Sequence, residues 1–311
     1  MKDTKSMSGR GSRSTGNVLI VGCGYVGEHV ARLARDAGAT IFALTRSSAR
    51  GEQLRAQGIA PVVGHWLEPQ TLGRLPEVDW VLVSIPHRSD STGAAPSRDL
   101  HPGDSQAALT HATGLRHLLA ALPDGWRKLV YLSTTGVYGA DSPSTVDELA
   151  PVAPTRIGPH MAHAAECWLA EQLPPQRYTI LRLAGIYGPG RIPLAARLRQ
   201  GEPLAVPREG HLNLVHVNDI ARMILIVAGR TMQHPMYLFS DGQPVLRETF
   251  YQHLARLCGV SDPVFVAPDP NDSRARRAAD KRVDPSLLVN ETHFVYQFPD
   301  FRSGLGVSLD H

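Results

Sequence analysis

The sequence predicts an α/β chain, a doubly wound parallel sheet followed by a smaller, irregular C-terminal part. Three observations predict it. Short apolar runs at 18–21, 40–44, 79–85, 128–133 and 178–183 read as buried strands, with helix-period stretches between them. The first run, Val18-Leu19-Ile20-Val21, leads straight into the glycine pattern Gly22, Gly24, Gly27. From residue 193 onward the alternation of strand and helix breaks, and prolines interrupt the chain.

The glycine pattern gives the first functional reading. G-x-G-x-x-G between a strand and a helix is the context of a dinucleotide-binding loop on a Rossmann sheet. Gly22 permits the tight turn, Gly24 lets a pyrophosphate approach, and Gly27 lets the helix sit close on the strand. With Cys23, Tyr25 and Val26 they form the expected cofactor loop. The helix over 28–35 stops at Gly38, and its unpaired N-terminal amides make an anion site.

Bulk properties exclude several classes. The 311 residues are 42% hydrophobic, which supplies ample core. A net charge of +3, from 32 basic and 29 acidic residues, argues against a nucleic-acid partner. No apolar run reaches the length of a membrane span, and the N-terminus lacks an apolar signal region. Three scattered cysteines without C-x-x-C fit reduced thiols and a cytoplasmic location. Residues 1–16 read as a disordered leader of Ser, Gly, Lys and Arg.

Further elements follow in order. The strand at 40–44 ends at Thr45-Arg46-Ser47-Ser48, where an NAD-preferring site would carry an acid. Arg46 can instead pair with a 2′-phosphate and Ser47 can hydrogen-bond it, which favours NADP with NAD the alternative. A helix over 50–57 and a short strand at 60–64 come next. The strand at 79–85 places Ser84 and Ile85 at its carboxyl end, on the cofactor side. The stretch 87–103 is a loop at a strand's carboxyl end, read either as a lid or as a surface insertion. A helix over 104–122 leads to the strand 128–133 and the hydroxyl-rich stretch Thr134-Thr135-Gly136-Val137-Tyr138-Gly139.

At this point the chain resembles the extended branch of the short-chain dehydrogenase/reductase superfamily, the NAD(P)-dependent epimerases and dehydratases. The matching pieces stand in the family's order: the glycine loop, 131–139, 181–190 and 215–221. The resemblance implies a tyrosine acid/base, a lysine four residues on, and a Ser or Thr that orients the substrate oxygen. Thr134 takes the last position, with Thr135 beside it in the substrate region. The tyrosine maps to Gly158 and the lysine to Ala162, so both functional groups are absent. A free phenol has a pKa of roughly 10 and needs a cation to approach neutrality. The loop also departs, since the extended branch usually shows G-x-x-G-x-x-G.

Tyr138, Arg156, His160 and His163 are the candidates to replace the pair, and His160, at the start of a helix over 159–173, is the favoured proton donor. His160, His163 and Cys167 share one helical stripe, but its ends lie about 10 Å apart along the axis, too far for one zinc, so no metal is expected. Arg182, Tyr187 and Arg191 are further nicotinamide- and substrate-side candidates by the resemblance, and His216 is expected near the site. A strand over 211–217, an N-cap at Asn218-Asp219, helices over 220–228 and 246–258, and an irregular tail complete the chain. The tail's basic run, Arg274-Ala275-Arg276-Arg277 through Lys281-Arg282, reads as a solvated surface or as a contact to an anionic substrate or the cofactor phosphate.

The expected organisation is a Rossmann domain over 17–190 completed by 212–240, with 191–211 and 241–311 forming the substrate-binding part. The expected function is an NAD(P)-dependent oxidoreductase or epimerase/dehydratase-like enzyme acting on a small carbonyl or hydroxyl compound or a nucleotide sugar. The alternative is a non-catalytic NADP(H) sensor. Family members often dimerise through the two helices that map to 104–122 and 159–173, which points to a homodimer.

Overall fold

The computed structural model describes residues 16–87, 109–139, 145–267 and 280–309. Residues 1–15 of the leader, 88–103 of the loop, the start of the helix at 104–108 and the basic run 274–277 lie outside them.

Thirteen strands are found among the described residues. They are β1 (Val18–Val21), β2 (Ile41–Thr45), β3 (Ala60–Val63), β4 (Trp80–Val83), β5 (Lys128–Thr134), β6 (Thr145–Val146) and β7 (Tyr178–Leu183). They continue as β8 (Gly185–Tyr187), β9 (His211–Leu212), β10 (Leu214–His216), β11 (Met236–Phe239), β12 (Val245–Leu246) and β13 (Arg282–Val283). Seven of them make one parallel sheet in the order β11-β7-β5-β4-β1-β2-β3. The chain runs outward from β1 through β2 and β3, then returns to β4 on the other side. This reversal opens a crevice between β1 and β4 at the carboxyl edge.

The central strands are continuous apolar runs because helices cover both faces. Every residue of β1 and β4 is buried. On one face α1 (Tyr25–Asp36) and α6 (Val217–Ala228) press Val30, Ala34, Ile220 and Ile224 against Ile20 and Leu82, and α2 (Ser48–Ala56) adds Leu54. On the other, α3 (Thr110–Ala121) and α4 (Ile157–Gln172) press Leu115, Leu118, Ala165 and Leu169 against Leu19, Val81 and Tyr131. A separate core joins α5 (Ala195–Arg199), α7 (Arg247–Cys258) and α9 (Phe301–Leu309) through Leu198, Phe250, Leu254, Phe301 and Leu305.

Several boundaries differ from expectation for local reasons. The strand expected over 211–217 is two strands, β9 and β10, broken at Asn213. That side chain is taken by the tail, donating to the Lys281 carbonyl and accepting from the Val283 amide. The following helix starts at Val217, not 220, because His216 is its N-cap and accepts from the Asn218 amide at 3.2 Å. Asp219 is buried and accepts from the amides of Gln297 and Phe298. The tail is therefore not irregular throughout: α8 (Ser286–Thr292) and α9 dock on the body. The helix expected from 159 begins a turn fragment earlier, at Ile157.

A buried ion pair ties the sheet to α4. Arg182 on β7 donates to both carboxylate oxygens of Glu166, at 3.0 and 2.6 Å, and also to the Tyr138 hydroxyl at 2.7 Å. Ser133 on β5 and His163 on α4 complete the shell around the carboxylate. Burial alone would raise the Glu166 pKa, but the hydrogen bonds from His163, Arg182 and Ser133 outweigh it and hold it low.

Two predictions follow from this packing. Alanine normally favours a helix interior over glycine by about 1 kcal/mol. At Gly114 in α3, however, a Cβ would fall 2.3 Å from the Trp66 ring. Gly114→Ala should therefore cost roughly 1–3 kcal/mol in urea unfolding; a stabilised variant would contradict that contact. Glu166→Gln should cost about 3–5 kcal/mol at pH 7, because it leaves the Arg182 guanidinium buried and unpaired. A depressed carboxyl stabilises above its unfolded pKa of 4.5 and loses that contribution as pH falls through its lower folded value. The gap between wild type and variant should thus shrink in unfolding curves below that pH.

Candidate functional site

The chain turns from β1 into α1 at a corner that only glycine allows. Gly22 sits at φ +91°, and a Cβ there would lie 2.8 Å from the Ile85 amide nitrogen. A Cβ on Gly27 would lie 2.9 Å from the Gly22 carbonyl oxygen. The Ser84 hydroxyl closes the corner by donating to that carbonyl at 2.6 Å. Gly24 is different: apart from its chain neighbours and the helix's own backbone, no atom of the described residues lies within 4 Å of where its Cβ would be. It opens α1 with no side-chain cap, so the first-turn amides are left for an external acceptor. This bare cradle fits the diphosphate of a dinucleotide.

The corner is one wall of a cleft of about 910 Å³. The lining residues follow the carboxyl ends of β1, β2, β4, β5 and β7, with 211–213, Arg247 and Lys281 on the opposite side. Six cationic side chains line it, Arg46, Arg50, Arg156, Arg191, Arg247 and Lys281. Among the described residues no aspartate or glutamate does. A cleft of one sign concentrates anionic ligands.

Of the residues singled out in the sequence, Gly22, Cys23, Gly24, Tyr25, Val26, Arg46, Ser84, Ile85, Thr134, Thr135 and Arg191 all line this cleft. Gly27 lies just beneath it, buried in the corner. Ser47 is instead the N-cap of α2 and accepts from the Arg50 amide at 3.3 Å. His160 is not brought to the lining, although its neighbours Gly158 and Pro159 are. Tyr187 and His216 are buried behind the wall, 5.2 Å apart between ring centroids. Tyr187 donates to the Asp300 carbonyl and His216 caps α6, so both serve the packing.

The two positions that the family resemblance assigns to tyrosine and lysine are also filled by packing. A Cβ on Gly158 would fall 2.5 Å from the His87 carbonyl oxygen, so no larger side chain fits without moving that strand end. Ala162 is fully buried against Val137, Tyr138 and Leu238. A tyrosine and a lysine do meet here from other segments. Lys281 donates to the Tyr138 carbonyl at 3.0 Å, but the Tyr138 phenol is turned inward, donating to the Asp147 backbone carbonyl and accepting from Arg182.

Sequence reading missed Arg50 and His87; Arg156, one of four candidate replacements, and Lys281, part of the basic run, also line the cleft, and the four come from separate segments. Arg50 donates to Glu28 and to the Cys23 carbonyl, which braces the glycine loop. Burial, reinforced by the Arg156 charge, pushes the Lys281 amine down to about 8. Burial and the Glu28 charge push the Cys23 thiol up to about 12, so it stays protonated. Tyr25 spans the cleft: its hydroxyl donates to the Pro189 carbonyl at 3.0 Å, and the Arg191 guanidinium lies 5.3 Å from its ring centroid.

Comparison with known proteins agrees with this geometry. Protein YeeZ of Escherichia coli (strain K12) is 29% identical over 296 residues, covering 91% of this chain and 96% of its own. The structure of a functionally unknown conserved protein from Silicibacter pomeroyi DSS superposes with a TM-score of 0.71 at 27% identity, over 95% of this chain and 99% of that one. UDP-glucose 4-epimerase from Thermotoga maritima, at 18% identity and a TM-score of 0.72, shares the fold over 94% of this chain and 97% of its own. The sequence pattern of the NAD dependent epimerase/dehydratase family matches residues 18–237. A seven-strand parallel sheet, a glycine corner at its switch point and that match lead to one conclusion: the chain belongs to the NAD dependent epimerase/dehydratase family.

Proposed function

We propose that this chain is an NADP-preferring oxidoreductase or epimerase-like enzyme, acting on a small hydroxyl or carbonyl compound that carries an anionic group. The observation that carries this reading is the cleft itself: a glycine cradle at one side, six cations around it, and no acid among its described lining residues. A bound nicotinamide would supply or accept the hydride. The protein's part is to bind, orient and handle the proton.

Arg46, at the end of β2, supports NADP because a guanidinium can grip a 2′-phosphate with two hydrogen bonds. Arg50 lies on the same lining, and no carboxylate there competes for the adenosine ribose. On the far side, Arg156, Arg191 and Lys281 suit a phosphate or carboxylate on the substrate. Thr134 has its hydroxyl fixed by the Gly136 amide, which donates to it at 3.0 Å. That leaves the hydroxyl hydrogen to point at a substrate oxygen. The family's tyrosine–lysine pair is missing in this reading, replaced by Gly158 and Ala162.

A non-catalytic sensor of NADP(H) is the second reading, favoured by that same loss. Turnover separates the two. Purified protein with NADPH and a panel of anionic and neutral carbonyl compounds should oxidise the nucleotide with at least one anionic member. Inertness across the whole panel would favour the sensor.

Titration calorimetry tests the cofactor assignment. NADPH should bind more tightly than NADH. Arg46→Ala should weaken NADPH by roughly 10-fold or more, the worth of a charge-assisted hydrogen bond, and leave NADH nearly unchanged. A wild-type preference for NADH would contradict the Arg46 argument.

A further inference from the structure

Three rings form a chain of hydrogen bonds from the cleft wall into the core. His87 follows β4 and lines the cleft. Its Nε2 lies 2.8 Å from the hydroxyl of Tyr131, a fully buried residue of β5. His111 of α3, also fully buried, places Nδ1 3.0 Å from the same hydroxyl. The two imidazoles stack at 4.4 Å between centroids, and the Trp66 ring closes the edge of His111 at 4.9 Å. Packing alone would be better served here by apolar side chains, since each buried polar group must be satisfied.

We propose that His87 is the catalytic acid/base of this site, with Tyr131 and His111 as positioning residues that set its tautomer. This rests on the oxidoreductase reading given above. The location supports it, because the His87 backbone closes the space beside Gly158, where the family resemblance puts the tyrosine. His87 therefore stands at the same wall as Thr134, on the adjacent strand end.

Counting hydrogens leaves two arrangements. A phenol has one hydrogen, so it donates to one imidazole and accepts from the other. In the proposed one Tyr131 donates to His111 Nδ1 and accepts from His87, and the NMR experiment below decides between the two. His111 then carries its hydrogen on Nε2 and accepts the Tyr131 hydrogen at Nδ1. Tyr131 in turn accepts from His87 Nε2–H, which leaves the lone pair of His87 Nδ1 for a ligand in the cleft.

In the oxidising direction the substrate O–H bond breaks and an Nδ1–H bond forms on His87. The O–H electron pair stays with the substrate and becomes the second bond of its carbonyl as the hydride leaves the adjacent carbon for an oxidised nicotinamide. In the reverse direction His87 Nδ1 first takes a proton from solvent and then gives it to the carbonyl oxygen as the hydride arrives on carbon. Around His87 the groups that set its charge are the Glu166 carboxylate on α4, which favours the imidazolium, and His111 and Tyr131, whose burial keeps both neutral. Burial holds His87 itself near 4, so it rests as a neutral base at pH 7.

Nitrogen-15 NMR of the histidine rings in the intact protein tests the arrangement without any substrate. His87 and His111 should both show the Nε2–H tautomer, and Tyr131→Phe should shift both rings. A hydrogen on His87 Nδ1 in the resting protein would overturn the base assignment. Kinetics with the carbonyl found active above, with NADPH as partner, test the role. His87→Gln should lower kcat about 100-fold or more while NADPH affinity stays the same. Tyr131→Phe should lower kcat less and displace the pH profile. Unchanged kcat in His87→Gln would overturn the proposal while leaving the oxidoreductase reading intact. An inert wild type would overturn the underlying reading, and this proposal with it.

Discussion

Everything in the molecule is arranged around a backbone contact with no room for a side chain. The carbonyl of Gly22 is held from one side by the Ser84 hydroxyl and approached from the other by Gly27. This contact locks the end of β1, the start of α1 and the end of β4 into one rigid corner. Because β1 and β4 are the strands on either side of the sheet's reversal, the corner lies where the crevice opens. Of the three corner glycines only Gly24 has open space around a built Cβ among the described residues, and α1 begins there with no side-chain cap. Geometry that would be strained in any other residue becomes a rigid anion cradle.

The opposite wall is held by different physics. There a buried ion pair between Glu166 and Arg182 fixes α4 against β5 and β7, and so fixes the strand end that carries Thr134. Such a pair contributes little net stability, but breaking it strands a charge, so it specifies one arrangement. The cations of the lining have no such buried carboxylate within the cleft. The core thus carries its buried charge as a matched pair, whereas the described lining of the cleft carries cations and no carboxylate.

The sheet was legible in the sequence because its central strands are buried on both faces and read as unbroken apolar runs, as in Val18–Val21 and Tyr178–Leu183. The glycine corner was legible because turn geometry and close approach impose a residue type at fixed spacing. The boundaries that misread were set by distant partners. Asn213 breaks its strand because the tail uses its side chain, and His216 caps a helix that Asn218 and Asp219 had seemed to begin. Arg156 and Lys281 were visible only as cations near the right place, and His87 reaches the cleft from a segment with no motif of its own. A histidine directly after a proline at a strand's carboxyl end was the only local signal for His87. His160 shows the converse: adjacency in sequence put it beside Gly158, and the helix turned it away from the lining.

The most direct test of the central claim is a crystal structure of the protein grown with millimolar NADP. The account predicts diphosphate oxygens accepting hydrogen bonds from the amides at the start of α1, the 2′-phosphate at Arg46, and the nicotinamide ring between Thr134 and His87. A diphosphate bound anywhere else, or a cleft that excludes the nucleotide at that concentration, would contradict it.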